Sequence, residues 1–231
     1  MQLHTHEWGA GGRIAVLVHG MMSDHRTWRR VGPALAERGY RVIGVDLRGH
    51  GRSPRGEYGA ELFADDLVDT LPTGAEVVIG HSLGGLALSL AAERLRPKRA
   101  VYSDPAWTLG TLGRRVTPDA FVLFKSASRA VVTGFNPRWE DADVDIELAT
   151  LAAWDTGTAY ALSGPHLKDR TPERPVVPSM VQIAGNGFLF PEGAAAGLTD
   201  RGFEVRTVRD AGHTIHRDDF DGFMAGLDGW I

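Results

Sequence analysis

Short apolar runs that alternate with helical segments constrain the fold of this chain more than any other feature. Six runs rich in Val and Ile are each followed by a polar or glycine-containing turn, which is typical of β-strands. The six runs are Ile14 to Val18, Val42 to Val45, Val77 to Ile79, Ala100 to Tyr102, Met180 to Ala184 and Val205 to Val208. Apolar residues at helical spacing lie between the first three runs. The alternation predicts an α/β fold with a mostly parallel central sheet flanked by helices.

The alternation breaks after Asp104. No strand is predicted from Pro105 to about Pro175, but this segment is rich in aromatic residues. It also contains an amphipathic stretch, in which Val144 and Leu148 share one helical face. We therefore predict a helical cap formed by residues 105–175, inserted into a core domain formed by residues 1–104 and 176–231.

Charge and composition limit the kinds of partner and site that the chain can have. The net charge is -4, and no stretch concentrates Lys and Arg, so a nucleic-acid partner is not expected. The chain has no cysteine, which excludes disulfides, thiolate metal sites and a cysteine nucleophile. The first residues form neither an apolar leader nor a spanning segment, so we expect a cytoplasmic protein that does not bind membranes. A small-molecule substrate is the expected partner, and both a monomer and a homodimer fit the sequence.

A G-x-S-x-G motif marks the candidate nucleophile. Gly80, His81, Ser82, Leu83 and Gly84 follow a predicted strand directly and precede a predicted helix that runs from about Leu83 to Leu95. So short a reversal forces the central serine into strained backbone angles, and the glycines let the chain pass itself closely. The motif predicts Ser82 as a nucleophile, with the backbone N–H of Leu83 available to an oxyanion. The alternative is a glycine-rich turn with an inert serine.

A serine hydroxyl needs a base to accept its proton near neutral pH. His213 follows the last predicted strand and should lie at the same sheet edge as Ser82 if the strands are parallel. His216 is the alternative base, although we expect it to cap or decorate the following helix. Three further histidines are predicted to be solvated surface groups: His4, His6 and His25.

These residues resemble the α/β-hydrolase family across nearly the whole chain. His19 and Gly20 look like the family's oxyanion loop, and the run from Asp46 to Ser53 is similar to its D-x-R-G-x-G-x-S loop. The pair formed by Gly212 and His213 matches the catalytic histidine. The resemblance implies that the backbone N–H of Met21 is the second oxyanion donor, partnering that of Leu83. It also implies that Asp46, Arg48 and Ser53 brace loops without reacting.

The triad acid departs from the family's commonest pattern. Family members usually carry an Asp a few residues beyond a Gly, after the strand that follows the cap. Here Gly185 opens that region, and no carboxylate appears before Glu192. A subset of the family carries the acid at the end of the strand before the cap, and Asp104 occupies that position. Asn186, Glu192 or Asp210 are the alternative orienting groups, and a serine–histidine dyad is a further one.

The predicted activity is acyl transfer to water. We expect a carboxylesterase-like serine hydrolase that cleaves a carboxylester, lactone or thioester of a small, largely apolar substrate through an acyl-enzyme. The chemistry needs neither a metal nor an organic cofactor. Five residues are predicted to line the substrate pocket: His19, His81, Trp107, Trp139 and Trp154.

Other functions remain open at this point. C–C bond hydrolases, cofactor-free haloperoxidases and small lyases resemble this chain in their triad, and a non-catalytic small-molecule receptor could use the same scaffold. Haloalkane dehalogenases and epoxide hydrolases need a carboxylate nucleophile, so the serine at position 82 argues against both classes of enzyme. No strand is followed by G-x-G-x-x-G and no G-x-x-x-x-G-K-[ST] occurs, so a nucleotide site is not predicted.

Overall fold

A seven-stranded sheet forms the centre of the molecule. The computed structural model describes residues 1–108, 117–162, 168–191 and 193–231. The strands are β1 (Thr5–Trp8), β2 (Arg13–Val18), β3 (Tyr40–Val45), β4 (Val77–His81), β5 (Ala100–Ser103), β6 (Ser179–Ala184) and β7 (Glu204–Val208). Their spatial order is β1-β3-β2-β4-β5-β6-β7. Strand β1 pairs antiparallel with β3, and the other pairs are parallel.

Helices follow most of the strands. They are α1 (Val31–Glu37), α2 (Ala60–Thr70), α3 (Leu83–Leu95), α4 (Pro118–Phe124), α5 (Arg129–Phe135), α6 (Asp141–Ala153), α7 (Gly157–Ala161), α8 (Ala194–Asp200), α9 (Ile215–Asp218) and α10 (Phe220–Ala225), with a 3₁₀ turn at His25–Trp28. No helix in the described ranges is long and apolar enough to cross a bilayer.

Both faces of the sheet are buried, which explains why its strands read as continuous apolar runs. Alternate residues of β2 enter different clusters: Val16 packs with the side chains of α2 and α3, whereas Leu17 packs with those of α1 and α10. Because side chains alternate along a strand, helices on the two faces each cover half of them. The predicted α/β fold with a mostly parallel sheet is therefore confirmed.

The six predicted strands are all present, with ends that differ by one or two residues. Strand β1 was not predicted. It lies at the edge of the sheet, has a single neighbour and is only partly buried, so it lacks the apolar run that identified the other strands. An edge strand of this kind leaves a weak signal in sequence.

Four helices, α4 to α7, occupy the described part of the chain between β5 and β6. A small apolar cluster of Val132, Val144 and Leu151 holds α5 against α6. These helices support our proposal that residues 105–175 form a cap on a core of residues 1–104 and 176–231.

Candidate active site

Ser82 lies at a sharp turn between β4 and α3. Its backbone angles are φ 50° and ψ -115°, which is a strained conformation for a residue with a side chain. Glycines on either side make the turn possible. A Cβ on Gly80 would lie 2.6 Å from the carbonyl oxygen of Gly84, and one on Gly84 would collide with the backbone of Val18. The turn holds the serine hydroxyl at the carboxyl edge of the sheet.

His213 and Asp104 reach the same edge from two other strands. His213 follows β7, and Asp104 follows β5 with a φ of 41°. The Nε2 atom of His213 lies 3.0 Å from Ser82 Oγ, and its Nδ1 atom lies 2.7 Å from Asp104 Oδ2. The second carboxylate oxygen, Oδ1, accepts a hydrogen bond of 3.2 Å from the backbone N–H of Ala184. A continuous hydrogen-bonded path thus joins the buried carboxylate to the serine hydroxyl.

Neither of the described alternatives, Asn186 and Asp210, has a hydrogen bond to the His213 ring. Asn186 is exposed and donates its side-chain amide to the backbone oxygen of Asp210, at 3.2 Å. Asp210 is itself exposed, and Glu192 falls outside the described residues. Among the described candidates, Asp104 is the one whose carboxylate contacts the His213 ring.

His216, the alternative base, is buried beside the site. Its Nε2 atom shares a hydrogen bond of 2.9 Å with Thr27 Oγ1, and its ring stacks on Trp28 at 4.1 Å between centroids. It therefore neither decorates the surface nor contacts the serine hydroxyl. His81, the residue before Ser82, donates from Nε2 to the backbone oxygen of His213 at 2.9 Å, which ties the histidine loop to the serine turn.

The loop that contains Gly20 and Met21 and the start of α3 both lie beside the serine. Met21 and Leu83 line the same cavity as Ser82. Leu83 is the first residue of α3, so its N–H has no partner within the helix. A Cβ on Gly20 would lie 3.1 Å from Ser82 Cβ, so the loop before Met21 approaches the serine closely.

The cavity beside Ser82 has a volume of about 100 Å³. Apolar side chains such as Leu83 and Phe121 supply most of its lining, and Arg217 is one of its few charged residues. It adjoins a larger outer cavity of about 480 Å³, with which it shares Phe121 and Trp139. The inner space suits a compact group.

Two of the five predicted pocket residues, His81 and Trp139, line this inner cavity, and three do not. The ring of His19 is fully buried and accepts the backbone N–H of Leu47 at 2.9 Å. Trp107 donates its indole N–H to Ser89, and Trp154 donates its own to Thr158. These three side chains are packed in the interior, where each ring nitrogen has a protein partner.

Two charged residues of the cavity, Glu147 and Arg217, were not predicted from the sequence. A weak signal existed, because Arg217 follows the candidate base His213 by four residues. Glu147 lies on α6, and nothing in the sequence connects it with the catalytic motifs.

Four histidines are buried among the residues that the structure describes, and burial lowers the pKa of each: His19, His50, His81 and His216. The pKa of His50 falls to about 3. Desolvation disfavours the charged imidazolium, and neighbouring histidines add to the effect. All four rings are therefore neutral near neutral pH.

The Asp46 carboxylate braces its loop, as the resemblance implied. It accepts hydrogen bonds from the backbone N–H groups of His25 and Arg52 and from the His25 ring, at 2.7 to 3.0 Å. Burial raises the pKa of Asp46, but these bonds outweigh burial and hold it below its usual range. His25 is thus a hydrogen-bond partner of Asp46 and not a solvated group.

One group of metal-ligating side chains is present in the part of the chain that the structure describes. The ligand atoms of His4, His25 and Asp46 lie within 4.8 Å of one another. None of the three lines the Ser82 cavity.

A mostly parallel sheet, with a serine on a strained strand-to-helix turn and a histidine after the last strand, is the architecture of the α/β hydrolases. The chain belongs to the alpha/beta hydrolase family, whose model matches residues 15–225.

Several known proteins and solved structures are similar to this chain. The chain is 26% identical to N-formylmaleamate deformylase from Pseudomonas putida, over 97% of this chain and 90% of that protein. It is 33% identical to Lipase LipV from Mycobacterium tuberculosis over 64% of this chain and 61% of the lipase. The structure of an N-formylmaleamic acid deformylase from Pseudomonas putida superposes with a TM-score of 0.78 at 23% identity, covering 98% of this chain and 96% of that one. An enol-lactonase from Burkholderia xenovorans gives 0.75 at 23% identity, with 97% and 94% covered.

Proposed function

We propose that this chain is a serine hydrolase that cleaves an ester-like bond of a small, largely apolar substrate through Ser82, His213 and Asp104. The observation that carries the proposal is the hydrogen-bonded path from Asp104 through the His213 ring to Ser82 Oγ, with spacings of 2.7 and 3.0 Å. The strained φ of Ser82 supports it, because strain of this kind persists where it serves a reaction.

In the proposed reaction, each residue of the site has a separate role. Ser82 Oγ attacks the carbonyl carbon while its proton passes to His213 Nε2, and Asp104 stabilises the imidazolium. The backbone N–H groups of Met21 and Leu83 hold the tetrahedral oxyanion, and each such donor is worth about 3 kcal/mol. Collapse expels the alcohol, which takes the proton from His213. Water then attacks the acyl-enzyme with His213 as base, releasing the acid and Ser82.

A fluorophosphonate probe tests the nucleophile. We expect it to label the wild-type chain and to leave Ser82→Ala unlabelled, since the probe reacts with an activated serine. Ser126→Ala is the matched control, because Ser126 is an exposed serine on another part of the chain and its loss should not affect labelling. A wild-type chain that does not react would favour the receptor alternative and end the enzymatic proposal.

A panel of substrates then tests which type of bond the chain cleaves. Activated acyl esters, lactones and thioesters should be hydrolysed, and Ser82→Ala should abolish turnover. Hydrolysis of an N-formyl amide is the second candidate, favoured by the match to N-formylmaleamate deformylase over nearly the full length of both chains. A chain that cleaves C–C substrates while leaving every ester intact would exclude the esterase proposal.

A further inference from the structure

Arg217 is a buried cation that shares the cavity with Ser82. Its side chain is 2% exposed, although arginine is seldom buried without a full set of partners. It lies on α9, four residues after His213, and lines the inner cavity. One of its terminal nitrogens, Nη1, donates to Glu147 Oε2 at 2.6 Å.

The other edge of the Arg217 guanidinium has no hydrogen-bond partner among the described residues. Its Nε and Nη2 atoms are both buried and neither makes a hydrogen bond within the described chain. The nearest carboxylate oxygen on this side, Asp143 Oδ1, is 3.9 Å from Nε, beyond hydrogen-bond distance. Asp143 is already held by both Nε and Nη2 of Arg29, at 2.8 Å each.

In other arginines of the described chain, the edge formed by Nε and Nη2 binds carboxylates. The parallel N–H groups of Nε and Nη2 match the two oxygens of one carboxylate. In the described part of the chain, four other arginines use them in this way, with nitrogen–oxygen distances of 2.5 to 3.1 Å: Arg26 with Asp24, Arg29 with Asp143, Arg41 with Glu7 and Arg48 with Asp66. Arg217 is more deeply buried than any of these four, yet its edge is left open.

The hydrogen-bonded ion pair of Arg217 does not use this edge. Glu147 is the carboxylate that Arg217 contacts directly, and it uses the opposite side of the guanidinium. The Trp139 ring covers the guanidinium face, with the Arg217 Cζ atom 4.5 Å from the ring centroid, and it also lines the cavity. Buried donors of a charged group are costly when unpaired. A partner that arrives through the cavity removes this cost.

We propose that Arg217 determines substrate specificity by binding a carboxylate group of the substrate through Nε and Nη2. The inference rests on the proposed hydrolysis at Ser82 and names its substrate class: a small acyl compound that carries a carboxylate away from the scissile bond. Both nitrogens are shielded from solvent, so binding requires side chains of the cavity wall to move aside. The apolar lining contacts the carbon chain between the two ends.

Matched esters test the proposal. The 4-nitrophenyl monoesters of succinate, glutarate and adipate carry a free carboxylate, and their methyl esters are neutral counterparts of similar size. We expect the wild-type chain to hydrolyse the best monoester with a kcat/KM about 10-fold or more above its methyl ester, as a charge-assisted bidentate contact should provide. In Arg217→Lys, which retains the charge but not the paired N–H groups, this preference should fall by about 10-fold or more. The ratio of the two kcat/KM values is the readout, because a general disturbance of the cavity lowers both rates and leaves their ratio unchanged.

Two further variants keep the test decisive. Arg217→Gln combined with Glu147→Gln removes both charges of the buried pair, so loss of the preference in this folded double variant would support the proposal without an orphaned carboxylate. Arg30→Gln is the control, since Arg30 lies in an exposed ion pair with Glu140. It should retain the preference.

The outcomes separate the two proposals. Equal wild-type rates on monoesters and methyl esters, or an equal fall of both rates in Arg217→Lys, would overturn the role of Arg217 and leave the hydrolase intact. No turnover of any ester, together with no fluorophosphonate labelling, would overturn the proposed function and with it this inference. Inhibition by free glutarate that is present in the wild type and lost in Arg217→Lys would support the carboxylate contact independently of turnover.

Discussion

Replacing Asp104 with asparagine tests the triad at its most specific point. Asparagine has nearly the same shape and tolerates the φ of 41° at this position. The Asp104 oxygen that faces Ala184 accepts a backbone N–H, and an asparagine oxygen can keep that bond. The amide NH₂ then faces His213 Nδ1, which must become an acceptor.

The imidazole proton would consequently move to Nε2, the atom that faces Ser82 Oγ at 3.0 Å. A protonated Nε2 cannot accept the serine proton, so the general base is lost although the packing is preserved. The corresponding exchange in a serine protease costs about 10⁴-fold in kcat. We expect Asp104→Asn to lower kcat by about 10² to 10⁴, or about 3 to 5 kcal/mol of transition-state stabilisation.

The assay is hydrolysis of an activated 4-nitrophenyl ester, with thermal unfolding measured on the same samples. Asp210→Asn is the matched control, because Asp210 is exposed and its backbone oxygen, not its carboxylate, contacts Asn186. It should retain wild-type activity. A folded Asp104→Asn variant within about 3-fold of wild type would refute the role of Asp104, since the tautomer argument requires at least about 10².

Three further perturbations follow from burial and backbone strain. Burial lowers the native pKa of His19, His50, His81 and His216, so the unfolded chain binds more protons than the native chain below about pH 6.5, and stability falls as pH falls. His50, whose native pKa is about 3, contributes a loss of about 1.4 kcal/mol at pH 5.5, and urea titrations should show a smaller pH slope in His50→Gln. Ser82→Gly relieves the positive φ, and we expect a gain of about 1 kcal/mol over Ser82→Ala, seen as a Tm higher by about 2 to 4 °C. Asp66→Ala removes the bidentate partner of buried Arg48 and should cost about 3 to 5 kcal/mol in chemical denaturation; a loss below about 1 kcal/mol would contradict that account.

The sequence predicted the elements that have strong local signals. Helix α3 runs from Leu83 to Leu95, as predicted, because the serine turn starts it and Pro97 prevents its continuation. The order of the strands within the sheet has no local signal of this kind. The sequence placed Ser82, Asp104 and His213 after three different strands, and parallel strands end at one edge of a sheet. That single geometric rule was enough to bring the three side chains together.

The cavity lining could not be predicted in the same way. Trp107 and Trp154 are of a residue type that commonly lines pockets, but their rings lie in the packed interior. There the hydroxyls of Ser89 and Thr158 accept hydrogen bonds from their indole N–H groups. Arg217 meets Glu147 across 70 positions of sequence. Which way a side chain points, and which distant side chain it meets, depends on tertiary packing that periodicity does not encode.

We expect the position of the acid to be exchangeable between neighbouring strand ends, and moving the carboxylate tests this expectation. Gly187 follows β6, its φ is outside the left-handed region, and a Cβ there would lie 3.2 Å from Asp104 Oδ2. Asp104→Gly accepts the φ of 41° but lacks the carboxylate, so its kcat should fall by about 10² to 10⁴. Adding Gly187→Asp places a carboxylate where the lost one contacted His213 and should restore at least about 10-fold of that loss. The restoration stays incomplete because the new Cβ lies 2.8 Å from that of Ala184. Asn186→Asp in the same background is the control, because the Asn186 side chain is exposed, and it should restore nothing. Equal activities of the two double variants would mean that the imidazole does not depend on a carboxylate at this place.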